Sequence, residues 1–243
     1  MYLFGASGHG KVVKDIQNAI GVKVEAFVDD NLRVVECAGR PVLHDAQGLS
    51  PMIVSIGVNR IRRMIVDRLV AKANSEGHPL EFATAIHPSV VISPSAKIGE
   101  GTVIMTGAVI NADAVIGKHC IVNTGATIYH DCVIGDFCHI APGANICGGT
   151  HLGERTWIGV GACVIQCLTI GKDCMIGAGS VVVKDIPDGV TAYGNPCRVK
   201  TNIKQDNNMN NSNVTSPIGG GKSKLFLFEK PVMSFLSRGV KTA

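Results

Sequence analysis

None of the nine cysteines forms a Cys-x-x-Cys pair, and that absence argues against a zinc or disulfide framework. No apolar run reaches the roughly 18 residues of a membrane span. The chain is also short of net charge. Its 23 basic and 19 acidic residues leave a formal charge of +4. That excess falls entirely beyond residue 200, where Lys204, Lys222, Lys224, Lys230, Arg238 and Lys241 face only Asp206 and Glu229. The body is neutral, so nucleic acid is not an expected partner. No secretory leader is expected, because Met1 runs straight into an apolar strand and a glycine loop. A cytoplasmic, reducing location is expected.

What is present is a rhythm of six. From residue 86 to residue 181, sixteen consecutive hexads carry Ile, Val or Leu at position one without insertion. Position five is small or medium throughout, with Leu168 the largest residue there. Neither a helix nor an ordinary strand repeats every six residues. The pattern is that of a parallel β-helix. Ile-Gly or Leu-Gly returns at Ile98, Ile116, Ile134, Leu152 and Ile170, each exactly three hexads after the last. Three hexads therefore make one coil of a three-sided column, with the aliphatic residues stacked inside. A single coil cannot bury its own apolar face, so stability must come from stacking. Cys120, Cys132, Cys138 and Cys174 occupy position five and read as reduced core thiols.

Ahead of the hexads, Tyr2-Leu3-Phe4 precedes the loop Gly5-Ala-Ser-Gly-His-Gly10, and Val12, Val13, Ile16, Ala19 and Ile20 follow at helical spacing. Strand, glycine loop and helix form the first half of a Rossmann-like unit. The loop's spacing is G-x-x-G-x-G rather than the dinucleotide fingerprint. Gly8 and Gly10 would admit a phosphate to the helix N-terminus, and His9 would point at the acceptor. A second strand over 24–28 ends in Asp29-Asp30, carboxylates placed to hold a ribose or base. A third covers 52–56, followed by a basic helix over about 61–73 bearing Arg62, Arg63, Arg68 and Lys72, which reads as a solvated face. Arg60, at the edge of the third strand, is excepted as a binding residue. This unit is too short for NAD and suits a mononucleotide or nucleotide sugar. The expected organisation is a Rossmann-like domain over 1–80, a β-helix over 81–200 and an unstructured, Asn-rich tail over 201–243, for which no function is assigned.

Taken together, the GASGHG loop, Asp29-Asp30, Gly57-Val-Asn59-Arg60, the unbroken hexads and the closing Gly-Asn-Pro-Cys-Arg resemble the bacterial sugar O-/N-acetyltransferases of the PglD/NeuD type. The resemblance covers residues 1 to about 200. It implies a left-handed β-helix, a homotrimer, acetyl-CoA as cosubstrate in the groove between neighbouring columns, and no metal. It places the nucleotide part of the acceptor on the N-terminal domain, with Asn59 among the binding residues. It assigns His130 as general base and Asp131 as its orienting carboxylate. It sets His139 near the acetyl group and the Gly148 amide at the thioester carbonyl. Cys197 stands where such proteins usually have Ala, and Asp131 is shorter than the glutamate of some members.

Acetyl transfer to an amine needs a positioned nucleophile, a base and a donor for the oxyanion. His130 is at position three of its hexad, off the inward positions, and histidine titrates near working pH. Gly148 follows three hexads later, one coil above. His139 is half a coil round from His130, so a site using both must straddle two chains. Cys132, the cysteine beside His130, points inward, which favours direct transfer over an acyl-cysteine. The main reading is N-acetylation of a nucleotide-linked 4-amino-4,6-dideoxy sugar. O-acetylation of sialic acid, a zinc enzyme on the same column and a non-catalytic scaffold are the alternatives. Carbonic anhydrases on this column carry histidines five apart, a spacing absent among His119, His130, His139 and His151.

Overall fold

A computed structural model describes residues 1–202 of the chain. The N-terminal domain runs β1 (Tyr2–Phe4), α1 (Gly8–Ala19), β2 (Ala26–Val28), β3 (Glu36–Cys37), β4 (Arg40–Leu43), β5 (Met52–Val54) and α2 (Asn59–Glu76). The sheet order is β3-β4-β2-β1-β5. All pairs are parallel except β3 with β4. The sequence pattern does not announce that hairpin: its strands are two and four residues long, too short for alternation to register. It turns through Ala38 and Gly39, both at positive φ. From β1 the chain goes to β2 on one side and later to β5 on the other, so the crevice at the carboxyl ends of β1 and β5 is a switch point. Gly10 lets α1 close on this edge. A Cβ there would collide with the Gly5 carbonyl oxygen and stand 3.0 Å from the Phe27 ring.

The hexads wind as expected. Two-residue strands fall at positions six and one of each hexad, beginning with Ala85–Ile86, Val91–Ile92 and Lys97–Ile98. They stack into three parallel sheets. Pairing joins residues one coil apart, as in Val109 with Thr127 and Val115 with Val133. Position-one residues from Ile104 through Val182 are buried, and so are the position-five residues Ala108, Cys120, Ala126 and Cys138. Together they form one continuous core. Fully burying such an aliphatic side chain contributes roughly 1.5–3 kcal/mol. A hairpin of Val190–Tyr193 and Arg198–Asn202 closes the column, with the Gly-Asn-Pro-Cys motif at its turn. Apart from Thr201 and Asn202, the tail expected over 201–243 lies outside the described residues.

Position four of every hexad from Gly101 to Gly179 is left-handed, with φ between 52° and 70°. These bends are the corners of the column, and they line up as three edges. One reads Gly107, Gly125, Gly143, Gly161 and Gly179. The second reads Asp113, Asp131, Gly149 and Cys167. The third reads Gly101, His119, Phe137, Arg155 and Asp173. A non-glycine residue in this conformation costs about 1–2 kcal/mol, so four on the third edge need compensation. His119 stacks on Phe137 at 5.1 Å and meets the Phe82 ring edge-on at 4.6 Å. Arg155 pairs with Asp173 at 2.6 and 2.7 Å.

The N-terminal domain docks along this third edge. Here one expectation is corrected: Arg62 is not part of a solvated face but 1% exposed. Residues at i and i+3 of a helix share a face, and Asn59 and Arg62 both turn toward the column. The far face keeps Arg68 and Lys72, paired with Asp30 and Asp45.

Candidate active site

His130 stands on the second edge with its side chain about two-thirds exposed. Its Nδ1 lies 2.7 Å from Asp131 Oδ2. A carboxylate accepts, so Nδ1 carries the hydrogen and Nε2 presents a lone pair. The left-handed bend at Asp131 turns that carboxylate back onto the ring it follows. Gly148 lies one coil above, directly over the imidazole. A Cβ on Gly148 would stand 2.7 Å from Nε2 and Cε1, so only glycine leaves the ring its place. The Gly149 amide donates to the His130 carbonyl at 2.9 Å, locking the two coils in register. His130, Asp131 and Gly148 thus share one corner, the arrangement that a base, its orienting carboxylate and an oxyanion donor would require.

The remaining candidates lie elsewhere on the chain. His9 is in the first turn of α1, not in the loop before it, and its Nε2 is shielded from solvent without a hydrogen-bond partner. Desolvation, then the Arg62 charge, lowers its pKa to about 4. Gly8 and Gly10 occupy the same turn. Neither helix N-terminus at the β1/β5 crevice is capped by a side chain. Asp29 serves the loop itself: Oδ2 accepts from the Ala6 amide at 2.8 Å and Oδ1 from the Asn31 amide at 2.9 Å. Asp30 pairs with Arg68 at 2.9 Å through both oxygens, on the wall of a cleft shared with Phe4, Val28 and His44. Arg60 is exposed on a different cleft, with Arg63, Glu154 and Arg155.

Asn59 departs from its expected part in acceptor binding. It is 6% exposed, its amide donates to the Arg155 and Thr156 carbonyls at 3.0 and 3.2 Å, and its Oδ1 accepts from Arg62. The side chain belongs to the domain seam. His139 is 5% exposed on the wall that the N-terminal domain covers, tilted against Trp157 at 4.0 Å. Desolvation chiefly pushes its pKa down to about 3. Within one chain it does not join His130; it lies near His9 instead.

Arg62, Asn123 and Trp157 are neighbours of this region that the sequence reading missed. For Arg62 a signal existed, since Asn59 sits three residues earlier on the same helix face. For Asn123 and Trp157 none did, because the period of six does not say which outward wall another domain covers. Cys132 is fully buried with its thiol pKa raised by burial, which leaves no nucleophilic thiol beside His130 on that coil. Among the described residues no group of three or more His, Cys, Asp or Glu could hold a metal ion. No helix among them is long and apolar enough to cross a membrane.

Comparison with known proteins finds relatives of both parts of the chain. Residues 1–69 match the PglD N-terminal domain, and residues 113–148 and 149–184 match the bacterial transferase hexapeptide family of six repeats. UDP-N-acetylbacillosamine N-acetyltransferase of Bacillus subtilis (strain 168) is 40% identical over 113 residues. That match covers 42% of this chain and spans half the length of the relative. A variant of perosamine N-acetyltransferase from Caulobacter crescentus, solved with CoA and GDP-perosamine, is 44% identical over 83% of this chain and 96% of its own, with a TM-score of 0.75. The acetyltransferase domain of PglB from Neisseria gonorrhoeae FA1090, solved with acetyl coenzyme A, is 42% identical over 82% of this chain and 98% of its own, with a TM-score of 0.74.

Proposed function

The chain belongs to the bacterial sugar acetyltransferases of the PglD type, left-handed β-helix enzymes that use acetyl-CoA, and on that footing we propose that it N-acetylates a nucleotide-linked 4-amino-4,6-dideoxy sugar. The observation that carries the reading is the corner of His130, Asp131 and Gly148. The acceptor amine attacks the thioester carbonyl carbon. His130 Nε2 takes the proton the amine gives up, and Asp131 steadies the imidazolium that results. Negative charge gathers on the carbonyl oxygen, where the Gly148 amide donates to it. The carbon–sulfur bond then breaks, and the thiolate leaves with a proton as CoA.

The acceptor's phosphates suit the uncapped first turns at the β1/β5 crevice, beside Gly8, His9 and Gly10. Its base or ribose suits the cleft at Asp30, with Asp29 holding the loop that forms the floor. Arg60, exposed, can meet an anionic part of either substrate. These carboxylates favour a nucleotide over a free sugar acid, which they would repel. Acetyl-CoA, the reduced core thiols and the lack of a membrane-spanning helix among the described residues suit a cytoplasmic setting. The test is CoA thiol release from acetyl-CoA against a panel of UDP-, dTDP- and GDP-linked amino sugars. Release that requires one of them is expected. Silence across the whole panel would remove the reading.

The two halves of the site point in different directions on one chain. We assign the complete site to the crease between subunits of a homotrimer, with His130 and Gly148 from one column facing His9 and His139 of the next. Coexpressed His130→Ala and His9→Ala chains should then recover about one quarter of wild-type activity, because random assembly in a symmetric ring restores one site in four. Mixtures no more active than the two variants alone would show that each chain works by itself.

A further inference from the structure

Arg62 is a buried cation met by oxygens of the backbone rather than by a carboxylate. Its Nε donates to the His119 carbonyl at 2.8 Å and its Nη2 to the Phe137 carbonyl at 2.8 Å. Asn59, one turn earlier, takes the Arg155 carbonyl at 3.0 Å. These three carbonyls are consecutive corners of the third edge, each one full coil after the last. At the corners the coil-to-coil bonds use the preceding residue's carbonyl, such as Lys118 or Asp136. The left-handed residue's own oxygen is left for a partner, and α2 supplies it over three coils.

The same guanidinium reaches toward the site. Its Nη1 donates to the Ile56 carbonyl at 2.8 Å and the Gly57 carbonyl at 3.1 Å. The Gly57 oxygen also meets His139 Nδ1 at 3.3 Å. A carbonyl only accepts, so Nδ1 carries the hydrogen and Nε2 keeps its lone pair. Nε2 lies 3.1 Å from Asn123 Nδ2. The amide is held that way round because its Oδ1 accepts from the Thr124 backbone at 2.8 Å.

We infer that Arg62 is a positioning residue for acetyl transfer, holding the Gly57 carbonyl against the third edge and so fixing the hydrogen of the His139 ring on Nδ1. The inference rests on the reading that His139 of one subunit faces His130 of the next. A free amine at neutral pH arrives largely as an ammonium ion. A neutral histidine wall leaves that cation unopposed, whereas an imidazolium would repel it. Burial chiefly keeps the ring neutral; the Gly57 bond acts the other way and the Arg62 charge adds to burial, so Gly57 sets which nitrogen carries the hydrogen rather than whether the ring is charged.

Arg62→Lys keeps the charge but offers a point of three donors in place of the planar fork. In 15N-histidine-labelled protein, long-range imidazole correlations should give wild-type His139 the neutral Nδ1–H signature, and Arg62→Lys should lose it. The same variant, still trimeric, should show kcat at least tenfold lower with KM for acetyl-CoA within twofold. A wild-type His139 in the Nε2–H form, or an Arg62→Lys enzyme with kcat within twofold of wild type, overturns the inference. If Arg62→Lys does not fold, the wild-type spectrum decides alone. If wild type turns over no acceptor at all, the proposed function fails and the imidazole signature still tests the seam.

Discussion

Replacing His130 by alanine should lower kcat by ~10²- to 10⁴-fold, the usual contribution of a positioned general base. KM for acetyl-CoA should change little, because a general base at this corner would meet the amine rather than the length of the cofactor. Thermal stability should hold as well. The side chain is about two-thirds exposed and hydrogen-bonds to the equally exposed Asp131, and surface changes of this kind usually stay within about 0.5 kcal/mol. Steady-state kinetics on the folded variant, with thiol release as the readout, measures all of this. Turnover near the wild-type rate would displace His130 from the chemistry.

Acid should unfold the protein through a different set of histidines. His9, His119 and His139 have pKa values lowered to about 4, 4 and 3 from 6.5, in each case chiefly by desolvation. His119 is held between Phe82 and Phe137 with Nδ1 unpartnered. All three are neutral in the folded state and become protonated when the chain unfolds below pH 6.5. The unfolded state therefore binds more protons in that window, and stability rises with pH across it. It is complete above about 6.5 and is lost as the pH falls toward 4. Three protons set a ceiling of roughly 4 kcal/mol per pH unit. Carboxylates held by lysines, such as Asp45 with Lys72, act lower, because their pKa values are depressed further below the usual range. Denaturant midpoints at pH 7, 5.5 and 4.5 should fall steeply, and His119→Phe should flatten the slope by about one third. Midpoints that stay level from pH 7 to 4.5 would refute this account.

The column was fully legible because its period is its fold. An aliphatic residue every sixth position leaves no other winding that buries them all, and Ile104 through Val182 lie inside as the pattern requires. The His130 corner was legible for the same reason: a step of three hexads sets Gly148 over His130 in any three-sided coil. What the period leaves out is which of three outward walls a second domain will cover. That is why Arg62 read as one more surface charge, and why Asn59 was assigned to the acceptor when its amide serves the seam. The β3–β4 hairpin escaped because two and four residues cannot display alternation. Asp29 was placed correctly at the end of β2, but its carboxylate turned back on the neighbouring loop, a local contact that residue type alone does not specify.

The three edges carry a rule for how this protein can change length. Three further hexads inserted past Val182 would add one storey and leave each wall facing its former neighbour. A single hexad placed inside the column would rotate everything beyond it by a third of a revolution, carrying glycine corners onto the edge of Asp113 and Asp131. Between His119 and Arg155 neither is tolerable, since the two grips on α2 are spaced for adjacent storeys. Lengthening is therefore free at the far end and forbidden at the waist.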